Sequence, residues 1–291
     1  MPGRPSIKDD RPMPKALTQA QVDSFRRDGF VFPVRALSTA EAAAHAARVD
    51  DFEARTGEKA SSRLRTKANL LTPWLAELVR HPRILDAVED ILGPDILCWG
   101  GGIFVKRPGD PAFVSWHQDT WYWSWKPKDA VTVWLAFTDT SVANGAVRYL
   151  PGSHNRPIER HSWKNDTNNL LTTSLEVSGG VDEAKAVTVE IKAGEMILHH
   201  ERVVHGSLPN TSDKPRIGFS IQYVAAHFKE TAIPATSASL VRGVDRYKNF
   251  EDEPIPAREF DPVGVAAFDR ALVLYREAAK SLRLAKGPGA P

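Results

Sequence analysis

The chain has 291 residues, 42% hydrophobic and 25% charged, an ordinary globular composition that excludes a disordered polymer. Its 38 Lys and Arg against 36 Asp and Glu leave a net charge of +2, so no basic excess points to nucleic acid or to an anionic membrane surface. The single cysteine, Cys98, excludes an internal disulfide and a cysteine-based zinc site and suits a reducing cytoplasm, and no apolar run approaches the ~18 residues of a transmembrane helix.

Residues 1–16 are polar and Pro-rich, lack a signal-peptide core, and are expected to form a flexible tail. The first third then reads as helical. Thr18 and Gln21 make a capping-box pattern ahead of QVDSFRRDG, and Ser38 and Glu41 repeat it ahead of an Ala-rich helix that should stop near Gly57. Thr72-Pro73 begins another helix, Pro82 interrupts it, and Gly93-Pro94 closes the stretch. From about residue 96 the apolar residues fall into short β-rich runs, among them ILCWGGGIFV, VTVWLAF, MILHH and RIGFSIQYV, separated by Gly, Pro, Asn and Asp clusters. Many short strands so punctuated predict an antiparallel sandwich or barrel. After Pro262, with Asp261 as N-cap, residues 263–285 read as a long amphipathic helix, and residues 286–291 as a disordered tail. The expected organisation is one domain over 17–285, mainly β with helices (α+β).

The segment SWHQDTWYWSWKP carries His117 and Asp119 two apart at the end of a strand-like run. Side chains at i and i+2 of a strand share a face, so an imidazole and a carboxylate can converge on one metal. A second segment, HGSLPNTSDKPR, offers His205 after an apolar run and Arg216 eleven residues later, opening a strand. Two His and one carboxylate on one face of an octahedron leave three positions open, the arrangement of non-haem iron(II) oxygenases. A hairpin of that length can return Arg216 beside His205, where its guanidinium offers a two-pronged fork to a carboxylate. His199 and His200 precede His205 by six and five residues; an extended strand of six residues spans roughly 20 Å, too far to share a metal. They are expected to be structural or pocket-lining. Five of the eight tryptophans (116, 121, 123, 125 and 134) crowd around the first segment. Trp121, Tyr122 and Trp123 follow Asp119 directly and are expected to wall a substrate cavity, where rings could hold an aromatic group or a cation.

His117-Gln118-Asp119, VTVWLAF, GAVRYLPGSH and ILHHERVVHGSLPNTSDKPRIGFSIQY, in that order, resemble the phytanoyl-CoA dioxygenase-like family of iron(II)- and 2-oxoglutarate-dependent oxygenases. The resemblance covers roughly residues 20 to 230. It implies a double-stranded β-helix (jelly-roll, cupin-like) core with N- and C-terminal helices packed on it. It implies Fe(II) held by His117, Asp119 and His205, with 2-oxoglutarate and O2 as co-substrates. Arg216 matches the residue that pairs with the far carboxylate of 2-oxoglutarate, Ser207 an assisting hydroxyl, and Thr132 and Trp134 a pair lining the co-substrate pocket. Gln118 is a further candidate there, although the middle residue of a regular strand faces away from the metal. His154, in PGSH, matches a turn element.

The implied reaction is hydroxylation of a C–H bond of a small-molecule metabolite by a cytoplasmic enzyme, with release of succinate and CO2. HSWKNDTNNLLT resembles the branch that hydroxylates small aminoalkylphosphonates, so a small zwitterionic substrate is expected, with His161, Asn168 and Asn169 available to its anionic end. Within the fold, the rivals are a halogenase, which in such relatives replaces the carboxylate ligand by Ala or Gly, and a desaturase or cyclase acting on a natural-product intermediate. From another class, a non-catalytic cupin-like binding protein predicts no 2-oxoglutarate turnover.

Overall fold

The computed structural model describes residues 14–122, 130–164, 166–171, 175–229 and 236–286. Capping chemistry sets its helical layer. Thr18 accepts a hydrogen bond from the Gln21 N–H while the Gln21 side chain returns to the Thr18 N–H, and helix α1 (Gln19–Asp28) follows. Ser38 and Glu41 do the same for α2 (Thr39–Thr56), which Gly57 ends in a left-handed conformation. Three shorter helices follow, α3 (Ala60–Arg63), α4 (Pro73–Leu78) and α5 (Pro82–Leu92). Pro82 is the first residue of α5 rather than a break within a longer helix, a position that needs no N–H. Asp261 accepts from the Val263 N–H at the start of α6 (Pro262–Lys286). No helix among the described residues is long and apolar enough to cross a membrane.

The strands are β1 (Phe30–Arg35), β2 (Ile96–Lys106), β3 (Val114–His117), β4 (Ala130–Ala136), β5 (Val147–Tyr149), β6 (His161–Trp163), β7 (Leu175–Val177), β8 (Val187–Val189), β9 (Glu195–His200), β10 (His205–Ser207), β11 (Arg216–Ala225), β12 (Ser237–Arg242) and β13 (Glu251–Asp252). A large sheet runs β1-β9-β4-β11-β2-β12-β13 and a small one β3-β10-β5-β8, while β6 pairs with β7. All neighbours are antiparallel except β12 and β13. Strand β1 corrects the expectation of a purely helical first third. Its sequence FVFPVR contains Pro33, which a central strand would not tolerate; β1 lies at the sheet edge, and its register with β9 shifts between Val31 and Val34.

Strand alternation divides the large sheet into two faces with different duties. Val131, Val133 and Leu135 of β4, Met196 and Leu198 of β9, Ile217, Phe219, Ile221 and Tyr223 of β11, and Ile103 and Val105 of β2 join one core with Val22, Phe25, Val49 and Phe52 of the helices. The alternate residues face the small sheet: Trp134, Ala136 and Ile197 pack with Val147, Tyr149 and Val189. With both faces covered, β4 is buried along its whole length and reads as a continuous apolar run. The same parity aims Thr132, His199, Arg216, Ser220, Gln222 and Lys106 at the space between the sheets. This is a jelly roll with its helices on the outer face of the large sheet.

Candidate active site

His117 ends β3 and His205 begins β10, and the two are direct partners across that ladder. Their rings lie 4.1 Å apart between centroids. Asp119 is not the next inward residue of a strand, as the sequence pattern suggests. Strand β3 stops at His117, and Asp119 opens a 3-10 turn over Asp119–Tyr122 that carries its carboxylate to the same point. Asp119 Oδ1 is 3.3 Å from His117 Nε2 and 3.8 Å from His205 Nε2. One ligand atom from each of His117, Asp119 and His205 falls within 4.8 Å of the others.

Hydrogen bonding behind the rings decides what this cluster can hold. His117 Nδ1 donates to the Ser115 carbonyl at 2.9 Å and His205 Nδ1 to the Val203 carbonyl at 3.0 Å. With Nδ1 so committed, each ring turns Nε2 toward Asp119 Oδ1, so three metal-ligating atoms converge. A cation relieves that arrangement, and carbonyl-anchored imidazoles are the usual support of metal-bound histidine. Burial opposes ionisation of Asp119, but His205, His117 and His199 around it hold its carboxyl well below the usual carboxylate range. Burial, with His117 and His199 adding to it, pushes His205 well below the usual imidazole value. An ionised Asp119 carboxylate beside a His205 imidazole held toward its neutral form is the protonation state that metal binding requires. The residues fit a divalent iron.

A second charge centre lines the same cavity. Arg216 is 1% exposed; its Nη1 donates to the Gly145 carbonyl at 2.6 Å, and its Nε has no hydrogen-bond partner among the described residues. Its guanidinium lies 5.2 Å from the centroid of the Trp134 ring. Gly218 makes room for that ring, since a Cβ there would collide with it. Burial lowers Arg216 to about 10. Strand β11 does not reach this place by a hairpin from β10. The two strands belong to different sheets, and Arg216 faces the site from the large one. Its partner across the β2–β11 ladder is Lys106, wholly buried, whose Nζ donates to Ser207 Oγ at 2.7 Å and to the Leu208 carbonyl. Burial, then Arg216, pushes Lys106 down to about 5. Among the described residues neither side chain forms an ion pair. A desolvated guanidinium with an orphaned N–H calls for an anion, and a carboxylate matches its fork.

The other candidates have the following surroundings. Thr132 Oγ1 donates to Asp119 Oδ2 at 2.7 Å. Gln118 is fully buried and turned from the cluster: its Nε2 donates to the Arg202 carbonyl at 2.7 Å and its Oε1 accepts from the Glu159 N–H at 2.8 Å, clasping two loops together. His161 meets the Gln118 N–H and the Glu159 carbonyl, both backbone groups. Asn169 donates to Ser115 Oγ at 2.8 Å, and with Asn168 it lines an outer groove that meets the cavity at Arg65, Thr66, Leu171 and Tyr275. Tyr122 and Trp121 belong to the 3-10 turn, with side chains outside the described set, and Trp123 and Trp125 lie outside the described residues. His154 and His200 pack on each other, His154 against the Arg26 carbonyl.

His199 overturns the distance argument made from the sequence. It sits beside the metal cluster, with Nε2 3.4 Å from Asp119 Oδ2 and its ring 4.5 Å from that of His205. The intervening residues do not run extended; the chain turns between β9 and β10 and changes sheet. The alternation of MILHH, with Ile197 and His199 on one face, is the signal that could have found it. Lys106 was likewise legible only through its register opposite Arg216. The rest of the cavity wall is mixed: Ser220, Gln222 and Lys67 are polar, while Phe104, Val114, Val147 and Leu171 are apolar, and the cavity volume is about 130 Å3.

The family described as Phytanoyl-CoA dioxygenase (PhyH) matches residues 25–218, two thirds of the chain and every residue of the site from Lys106 to Arg216. Among curated relatives, a probable alpha-ketoglutarate-dependent hypophosphite dioxygenase of Stutzerimonas stutzeri is 31% identical over 179 residues, 60% of this chain and 62% of that protein's length. Among solved structures, the non-haem monooxygenase ThoJ in its apo form is 34% identical with a TM-score of 0.79, covering 90% of this chain and 98% of that one. SnoK, a non-haem alpha-ketoglutarate-dependent carbocyclase from nogalamycin biosynthesis, is 26% identical with a TM-score of 0.59, covering 74% and 86%. The buried His-Asp-His cluster, the jelly roll and these likenesses agree: the chain belongs to the phytanoyl-CoA dioxygenase family of iron(II)- and 2-oxoglutarate-dependent oxygenases.

Proposed function

We propose that the chain hydroxylates a C–H bond of a small polar metabolite, with iron(II) on His117, Asp119 and His205 and the far carboxylate of 2-oxoglutarate on Arg216 and Ser207. The observation that carries this reading is the pairing, in one cavity, of three converging metal acceptors with a buried, partly unpartnered guanidinium. Iron bound there supplies oxygen activation coupled to oxidative decarboxylation of 2-oxoglutarate, one oxygen atom entering succinate and the other the substrate. The chain's own residues hold and orient. Ser115 and Val203 carbonyls fix the two imidazoles, Thr132 fixes the carboxylate, and Trp134 supports the guanidinium that aims the co-substrate.

Asp119 favours hydroxylation over halogenation, because a carboxylate already occupies the position a halide would need. The polar side chains of Ser220, Gln222 and Lys67 within the mixed wall support a small polar or zwitterionic substrate, such as an aminophosphonate-like metabolite. The hypophosphite named for the Stutzerimonas stutzeri relative is a small phosphorus oxyanion, which supports the same class. A second reading, oxidative ring closure of a natural-product intermediate, is favoured by the likeness to SnoK and by the large groove that meets the cavity. A cytoplasmic setting belongs to the same proposal and rests on the lone, buried Cys98. The test is anaerobic reconstitution with Fe(II) and 2-oxoglutarate, addition of O2, and parallel measurement of succinate and substrate mass across aminophosphonates, other zwitterions and polycyclic intermediates. A gain of one oxygen atom with matched succinate from a small zwitterion supports the first reading. Loss of two hydrogens from a polycyclic compound, with no turnover of zwitterions, replaces it with the second.

A further inference from the structure

We infer that His199 and Tyr149 form a relay that fixes Asp119 so that one carboxylate oxygen alone faces the metal, which makes both of them positioning residues. The inference rests on the reading of His117, Asp119 and His205 as a metal centre.

Tyr149 lies on β5 of the small sheet and His199 on β9 of the large one, 0% and 2% exposed. They meet across the sandwich, Tyr149 Oη 3.1 Å from His199 Nδ1. A phenol O–H donating to Nδ1 places the proton of the neutral imidazole on Nε2. Nε2 points at Asp119 Oδ2, at a long 3.4 Å. The same Oδ2 accepts from Thr132 Oγ1 at 2.7 Å. Two donors from the large sheet therefore hold Oδ2, and they stand together because Thr132 and His199 are direct partners across β4 and β9. The opposite oxygen, Oδ1, is the one within 3.3 and 3.8 Å of the two ligand Nε2 atoms.

Packing alone does not account for a histidine at this position. The His199 ring lies 5.4 Å from Tyr149 and 4.5 Å from His205, contacts that a phenylalanine would keep. What phenylalanine lacks is the acceptor for the phenol and the donor for the carboxylate. Without them a buried Tyr149 O–H is stranded, and Asp119 is left with Thr132 as its hydroxyl anchor.

The experiment titrates cobalt(II) into metal-free wild-type protein, His199→Phe, His199→Gln, Tyr149→Phe and the double variant His199→Phe/Tyr149→Phe, following affinity by competition and the cobalt ligand-field spectrum. Far-ultraviolet circular dichroism checks the fold. Residues that orient metal ligands typically contribute 10–100-fold in affinity, so His199→Phe is expected to weaken cobalt(II) within roughly that range and to alter the spectrum. His199→Gln, which keeps a donor, is expected to recover part of the loss. Tyr149→Phe is expected to weaken binding less, and the double variant to be no worse than His199→Phe, since the phenol acts through the imidazole. Should His199→Phe fail to fold, Tyr149→Phe and His199→Gln carry the test. Wild-type affinity and spectrum in both His199 variants, or losses that simply add in the double variant, overturn the relay alone. Wild-type protein that binds no cobalt(II) overturns the metal centre and the relay with it.

Discussion

His117 and His205 are opposite each other in the β3–β10 ladder, so a single backbone register sets the spacing of both imidazoles. The register shifts immediately beyond, between His205 and Ser207, and β10 also pairs with β5, where His205 faces Tyr149. His205 therefore sits in the middle of a three-strand patch, held from both sides, while His117 lies on the edge strand β3. A slip of one residue would turn a ring to the other face of the small sheet.

From that arrangement, His117→Ala and His205→Ala should each weaken cobalt(II) or iron(II) binding by more than about 100-fold, beyond what a merely orienting residue contributes. Succinate formation should vanish with it. His200→Ala serves as the contrast, because that ring packs on Phe25 and His154 instead of the cluster. Isothermal titration of the metal-free proteins decides the matter: wild-type affinity in His205→Ala would remove it from the ligand set.

Arg216 is buried and has no carboxylate partner among the described residues, so the co-substrate would complete it. Removing one member of a buried charge pair costs about 3–5 kcal/mol, or roughly two to three and a half orders of magnitude in binding. Arg216→Ala should raise the 2-oxoglutarate concentration needed for half-saturation by at least ~100-fold while metal affinity stays near wild type. Arg216→Lys should recover only part, since an ammonium lacks the planar fork. An unchanged 2-oxoglutarate titration would place the far carboxylate elsewhere in the cavity.

Gly218 is where backbone and pocket meet. A Cβ at this position runs into the Trp134 ring, and Trp134 in turn lies under the Arg216 guanidinium. Overpacking of this kind typically costs about 1–3 kcal/mol. Gly218→Ala should therefore lower thermal stability and also weaken 2-oxoglutarate binding, whereas a change in stability alone would uncouple Trp134 from the co-substrate.

The sequence was most readable where chemistry is local. Both capping boxes, the Gly57 stop and the start of α6 depend on side chains within a few residues of each other, and they appear where the residue types put them. The jelly roll was legible from short apolar runs and from the family likeness. The site was legible as a set of residues and less so as a geometry. Asp119 reaches the cluster from a 3-10 turn, not from strand parity, and Arg216 reaches it from the opposite sheet, not from a hairpin. His199 was expected to be structural or pocket-lining, and it lines the cavity, but its closeness to Asp119 was not legible because a straight-line distance along the chain takes no account of a turn between sheets. Lys106 was missed because register across β2 and β11 is a long-range property, and nothing near residue 106 announces it.

Lys106 gives the last prediction a sign. It is held down to about 5, by burial first and then by Arg216, against an ordinary value of 10.5. The neutral amine suits its surroundings, since its two N–H groups match the two acceptors it meets, Ser207 Oγ and the Leu208 carbonyl. Between about 5 and 10.5 the unfolded chain carries a proton on this side chain and the folded chain does not. The unfolded state then binds more protons, so stability rises with pH, by up to about 1.4 kcal/mol per unit from this group. The penalty is complete below the folded value and gone above the unfolded one. Lys106→Met should flatten the pH dependence of unfolding of the co-substrate-free protein between pH 6 and 9 and raise its stability at the acid end of that range. An anion beside Arg216 favours the charged amine, so 2-oxoglutarate should stabilise wild type more at pH 6 than at pH 9, and Lys106→Met about equally at both. Chemical unfolding at a series of pH values, with and without 2-oxoglutarate, tests this; parallel curves for the two proteins would mean that Lys106 keeps its proton in the folded state.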